Sequence, residues 1–223
     1  GMLTGQGGQL DLSALAAMAE DISVGPTVLL REPNTVIRDF DVALPLEYRN
    51  FSRFRNPADE GTRPSLEKNP VLTQVAVRVG KNRARGDFLL DTGAASSFIS
   101  SAMAKKLGLL KQDGTPAVPV VFSLPMSGIS GKQTVAQGFV VSQLRVRGSG
   151  RDLVFKEARV LVHDVAAKLD DGEVVVLDGI FGNNLMLPSV SGVATGLPSA
   201  THPGAFAKIW VDGPKGRLLF KLK

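Results

Sequence analysis

Asp91-Thr92-Gly93 is where residue types and spacing in this sequence most plainly permit chemistry. Phe88, Leu89 and Leu90 precede it as an apolar run, so the Asp91 carboxylate stands at the end of a buried strand, followed by a hydroxyl and a glycine. A carboxylate so placed can take up or release a proton. The tripeptide alone carries little weight, because at average composition it arises by chance in about one chain in twenty of this size. The same residues also close Asx-type turns in ordinary hairpins. A second stretch downstream raises it: Val174 to Met186 reads VVVLDGIFGNNLM, with the apolar pair Ile180-Phe181, then Gly182, then a short helix-like run. Between the two, PMSGISGK at residues 125–132 is Gly-rich and separates two strand-like segments.

Together these segments resemble the retropepsin-like aspartic proteases, over residues 71–223. The resemblance implies a mostly β, closed-barrel acid-protease lobe with one or two short helices. It implies Asp91 as the catalytic residue, supported by Thr92, Gly93 and Ala94 in its turn. Ile180, Phe181 and Gly182 would form the supporting loop, and Gly128, Ile129, Ser130 and Gly131 the flap over the substrate. The implied activity is that of an aspartic endopeptidase acting on a peptide or protein, with no cofactor.

Asp-Thr-Gly occurs once, whereas such chemistry needs two carboxylates. One group must take a proton from water while another protonates or hydrogen-bonds the scissile carbonyl. Carboxylates ~3 Å apart cannot both ionise, so they share one proton and divide the roles. The second aspartate is therefore expected from a homodimer partner or from a lobe upstream. The alternative, from a different class, is a non-catalytic peptide-binding or assembly module on the same fold, which fold resemblance does not separate from the enzyme.

The elements that must position these residues read as short strands and tight turns, as 24 Gly, 13 Pro and many Val/Ile/Leu runs suggest. Residues 73–79 alternate with period two, residues 80–86 supply a turn, and residues 87–91 return as a largely apolar strand. Residues 101–108, with a Ser start and a Gly stop, predict a short helix. Further strands are expected over 118–124, 139–147, 154–162 and 173–177, and a terminal hairpin over 207–222. The polar, three-proline stretch 56–70 reads as a linker between an N-terminal segment, 1–55, and the lobe at 71–223. Leu3 to Gly8 is similar to Met126 to Gly131, and Val36 to Leu44 to Val154 to Val162, at nearly equal offsets. Residues 1–45 are thus either the remnant of a preceding similar lobe or a chance likeness of glycine turns and amphipathic strands. Gly1 ahead of Met2 reads as a cloning remnant, which leaves both the native start, at Met2 or upstream of it, and the compartment open.

Composition narrows the classes. The 223 residues are 43% hydrophobic and 21% charged, enough apolar material for a sizeable core. No run approaches the ~18 apolar residues of a membrane-spanning helix, and the first twenty residues lack a signal-peptide pattern. No membrane partner is expected. With no cysteine there is no disulfide, thiolate zinc site or thiol nucleophile, and His163 and His202 offer no metal site. Gly131-Lys132 lacks the flanking residues of a phosphate loop, and there is no Gly-x-Ser-x-Gly elbow. The net charge is 26 − 21 = +5. Residues 48–55, YRNFSRFR, interleave aromatic and basic residues, but such a stretch more often packs a lobe with solvated arginines, so nucleic acid is not expected as a partner.

Overall fold

The computed structural model describes residues 27–30, 36–51, 66–127, 133–168, 173–186 and 206–222. Before the Asp-Thr-Gly turn come β1 (Thr27–Leu30), β2 (Val42–Pro45), β3 (Glu47–Phe51), β4 (Leu66–Val79) and β5 (Asn82–Leu90). After it come β6 (Phe98–Ile99), helix α1 (Ser101–Lys106), β7 (Phe122–Ser127), β8 (Gln133–Val146) and β9 (Leu153–Val162). The chain ends with β10 (Ala166–Lys168), β11 (Val174–Val176), β12 (Gly179–Phe181), helix α2 (Asn183–Met186), β13 (Phe206–Asp212) and β14 (Arg217–Leu222).

The sheet order β4-β5-β12-β6-β9-β8 returns on itself through a β4–β8 pairing, which closes a six-stranded barrel. β3 and β7 extend it as flaps of sheet beside β4 and β8. The mostly β closed barrel with two short helices is therefore the architecture expected from the sequence. Closure follows from alternation: Val75 and Val77 of β4, Phe88 and Leu90 of β5, and Phe139 and Val141 of β8 all lie in one buried cluster, while their neighbours face outward. A bulge between Leu72 and Val75 bends β4 so that one end pairs with β3 and the other with β8. Gln74 sits in that bulge at φ 56°, its N–H donating to Asp87 Oδ1 at 2.9 Å.

A second sheet, β1-β13-β14-β2, covers the barrel and sends Val42, Leu44, Ile209, Leu218 and Phe220 into the same core. The two layers meet through aromatic rings: Phe155 lies 5.8 Å from Phe181 and 6.3 Å from Phe206, which lies 4.8 Å from Phe220. Each such ring, fully buried, contributes about 1.5–3 kcal/mol.

Several local expectations are corrected. β4 begins at Leu66, so residues 66–70 of the supposed linker are strand, and residues 52–65 lie outside the described residues. Pro70 is tolerated because it lies beyond the Val71↔Leu89 pair that ends the β5 ladder, leaving β3 as its partner. β2 pairs with β14 and β3 with β4, so the boundary drawn at 56–70 divides strands that pair across it. Of the stretches compared as a repeat, Leu3 to Gly8 lies outside the described residues, and only the end of Val36 to Leu44 is strand, in the covering sheet rather than the barrel. The turn expected over 80–86 shrinks to Gly80-Lys81, Gly80 taking φ 55°, because Asn82 already pairs with Val79 and Ala84 is buried. Residues 118–121 precede β7 rather than joining it. The expected helix forms as α1, with Ser100 rather than Ser101 as its cap: Ser100 Oγ accepts from Met103 N at 3.1 Å.

Candidate active site

β5 and β6 are consecutive strands, yet they do not pair with each other. β12 lies between them, parallel to β5 (Ile180↔Leu89, Phe181↔Leu90) and antiparallel to β6 (Ile180↔Phe98). The connection from Asp91 to Ser97 must therefore arch over the end of β12. That arch is tied down at Asp91, Thr92, Ala94 and Ser97. Asp91 N donates to Phe181 O at 3.1 Å, Asn183 N to Ala94 O at 2.8 Å, and Asn183 Nδ2 to Thr92 O. Gly182 N donates to Ser97 Oγ at 2.9 Å.

The approach is too close for a side chain. A Cβ on Gly182 would stand 2.4 Å from Ser96 O and 2.9 Å from Ala94 O, and one on Gly179 would stand 2.6 Å from Phe98 O. Glycine at both positions is thus a packing requirement. Within the turn, Gly93 N donates to Asp91 Oδ1 at 2.8 Å and Ala94 N to Asp91 O at 3.3 Å. Locally this is the Asx turn that the plain reading of Asp-Thr-Gly also describes. What sets it apart is its seat on β12. Asp91 is half-buried, and Thr92 and Gly93 are exposed.

Two residues that sequence reasoning missed hold the arch from beneath. Ser97 Oγ donates to Asn184 Oδ1 at 2.7 Å while accepting from Gly182 N, and Asn184 Nδ2 donates to Arg159 O at 2.9 Å. Ser97 and Asn184 are both buried, so each bond replaces water that is no longer there. A polar residue directly ahead of an apolar pair, Ser97 before Phe98-Ile99 and Asn184 before Leu185-Met186, was the available signal.

Beside the turn is an apolar face. In β5, Phe88 and Leu90 point into the barrel and Leu89 points out; in β12, Phe181 points in and Ile180 out. Leu89 and Ile180 join Val71 in a small outer cluster, against which Ala94, Phe98, Val165, Val175 and Leu177 pack. It borders an open depression of about 380 Å³. Arg49 and Asp87 stand at its polar edge, paired at 2.8 Å.

The β7–β8 hairpin runs in register from Phe122↔Gly138 to Ser127↔Gln133. Its tip, with Gly128, Ile129, Ser130 and Gly131, lies outside the described residues, as does His202. His163 packs edge-on to Phe98, and Asp164 Oδ1 accepts from Ser101 N at 2.7 Å. Among the described residues no group of three or more His, Asp and Glu is placed to hold a metal ion. Nor is any helix there long and apolar enough to cross a membrane.

A barrel whose Asp-Thr-Gly turn arches over an inserted apolar strand defines an acid-protease lobe. The chain belongs to the aspartyl protease family, whose model it matches over residues 75–185. It is also similar to the crystal structure of a retropepsin-like aspartic protease from Rickettsia conorii, at 13% sequence identity and a TM-score of 0.36, covering 83% of this chain and 96% of that one. No curated protein matches it.

Proposed function

We propose that the protein is an aspartic endopeptidase in which Asp91 supplies one carboxylate of a catalytic pair. The observation that supports this best is the placement of Asp91, at the end of β5 on a turn fixed by Phe181, Gly182 and Asn183, with Thr92 and Gly93 exposed. An exposed, rigid turn of this kind can meet its counterpart about a two-fold axis. The pair would share one proton: the ionised partner takes a proton from the attacking water as the protonated partner bonds the scissile carbonyl oxygen. Thr92, Gly93 and Ala94 support that geometry, Ile180, Phe181 and Gly182 hold it from below, and the β7–β8 hairpin carries Gly128, Ile129, Ser130 and Gly131 as a flap. The open depression bordered by Leu89, Val175 and Leu177 favours an apolar side chain of the substrate.

The second aspartate comes from another copy of the chain or from an upstream lobe. The test is cleavage of a peptide library by wild type and Asp91→Asn across a protein concentration series, alongside sedimentation. Activity that rises with dimer fraction and vanishes in Asp91→Asn supports the pair. Wild-type turnover in the variant, or undiminished specific activity in a strictly monomeric sample, refutes it.

A further inference from the structure

The outer face of β5 does not stop at the apolar cluster. Going back along the strand from Asp91, every second residue faces out: Leu89, Asp87, Arg85, Arg83. Strand register sets further cations beside the last two. Arg83 lies opposite Arg78 of β4, and Ala76, opposite Arg85 on one side, faces Arg145 of β8 on the other. Arg147 follows at the end of β8, where Gly148 and Gly150 leave the backbone bare. Here the surface sinks into an open depression of about 420 Å³ bordered by Arg85, Arg145, Arg147 and Asp152.

Asp152 accepts from both Nε and Nη2 of Arg145, so one of these charges is answered within the chain. Among the described residues no carboxylate lies within ion-pair distance of Arg78, Arg83, Arg85 or Arg147. Like charges directly opposite on paired strands, as Arg78 and Arg83 are, destabilise a sheet. The depression itself carries three guanidiniums, of Arg85, Arg145 and Arg147, against the one carboxylate of Asp152, a surplus that an anionic ligand would neutralise. The depression also adjoins the apolar one: Gln74 borders the basic side, Asp87 the apolar side, and the two are hydrogen-bonded. From Arg85 to Asp91 is six residues of strand, about 20 Å, which an extended peptide spans in about six residues.

We infer that Arg85 and Arg147 form a distal subsite for acidic side chains of the substrate polypeptide, reached by the chain that continues from the scissile bond over Leu89 and Asp87. The inference rests on the proposed endopeptidase reading and adds to it a rule of selection. Arginine suits the role, since its planar fork pairs with a carboxylate through two N–H groups. A polypeptide fits better than a nucleic acid because, among the described residues, no aromatic ring borders the depression to stack a base.

The experiment uses fluorogenic peptides that share one apolar cleavage segment and carry, about six residues away on either side, three glutamates, three glutamines or three lysines. With wild type, the glutamate peptide on one side is expected to show kcat/KM about fivefold above its glutamine counterpart at low salt, through KM, fading near 0.5 M salt. In Arg85→Gln/Arg147→Gln the ratio is expected to fall to about one, and Arg85→Glu/Arg147→Glu to shift the preference to the lysine peptide. Equal cleavage of glutamate and glutamine peptides by wild type overturns the subsite and leaves the endopeptidase standing. Anisotropy with labelled, uncleaved peptides reads the subsite apart from turnover: arginine-dependent binding of the glutamate peptide without any cleavage supports the subsite and refutes the endopeptidase. A single-stranded oligonucleotide of equal charge that binds more tightly than the peptide, by the same arginines, overturns the polypeptide assignment.

Discussion

Ser97→Ala tests the claim that the Asp91 turn is held from beneath. Ser97 Oγ makes two buried bonds, to Asn184 Oδ1 at 2.7 Å and from Gly182 N at 2.9 Å. Removing it leaves a buried acceptor and a buried backbone donor without partners in a fully enclosed site. Each such orphan costs about 1–3 kcal/mol, so the sum is about 2–6 kcal/mol, a large part of the ~5–15 kcal/mol by which a domain of this kind is stable. Urea unfolding of wild type and variant measures it, provided that the slope is unchanged between them. Asn184→Leu should destabilise as well, since it strands Ser97 and Arg159 O. The double variant should be less destabilised than the sum of the singles by about 0.5–3 kcal/mol, because a bond already lost cannot be lost twice. Peptide cleavage by Ser97→Ala should fall mainly in kcat, because the loosened arch misplaces a reacting carboxylate. A loss of stability below about 0.5 kcal/mol, or strict additivity in the cycle, would refute the reasoning, since a solvated hydroxyl behaves that way.

Gly182→Ala should be at least as harmful as typical overpacking, about 1–3 kcal/mol, because the new Cβ meets backbone oxygens rather than a side chain that can swing away; thermal unfolding reads it, and Gly213→Ala, whose Cβ would meet only the Tyr48 hydroxyl at an ordinary 3.7 Å, serves as the comparison. Asp91→Asn should abolish cleavage while leaving the urea midpoint nearly unchanged, since the amide keeps an oxygen for Gly93 N. Ala94→Ser should move the acid limb of the pH–rate profile downward, because a hydroxyl beside Asp91 favours its ionised form; a limb that stays in place counts against the pairing. Arg145, through its hydrogen bonds to Asp152, holds that carboxyl below the ordinary aspartate value. The stabilisation is present above the unfolded value of about 4 and lost as pH falls through the lower folded one, and for so exposed a pair it stays under about 1 kcal/mol. Arg145→Gln should return the Asp152 titration, followed by NMR, toward the ordinary value.

Much of this arrangement was legible in the chain because its signals are local. The apolar run ending at Asp91, the alternation of β9, the capped helix and the terminal hairpin are each continuous stretches of sequence, the longest being the hairpin over Phe206 to Leu222, and each forms. Misread were the features decided by distant partners. Residues 66–70 look like linker until β3 is set beside them, and Val42 and Leu44 look like part of another unit until β14 pairs with their strand from the far end of the chain. Ser97 and Asn184 were passed over for the same reason. Neither belongs to a recognisable motif, and their meaning lies in a hydrogen bond that only folding creates.

The insertion of β12 between β5 and β6 also orders events in time. Asp91 and Phe181 are 181 − 91 = 90 residues apart, yet the backbone of one bonds the other. During synthesis the Asp-Thr-Gly turn emerges early and waits for its seat, because contacts of such separation form only after the intervening chain has been made and closed. A nascent or truncated chain ending before Gly179 carries the carboxylate without the strand that fixes it. For the proposed endopeptidase this is a form of latency written into chain order: the turn is assembled only when most of the polypeptide that it would attack, its own, has already folded out of reach.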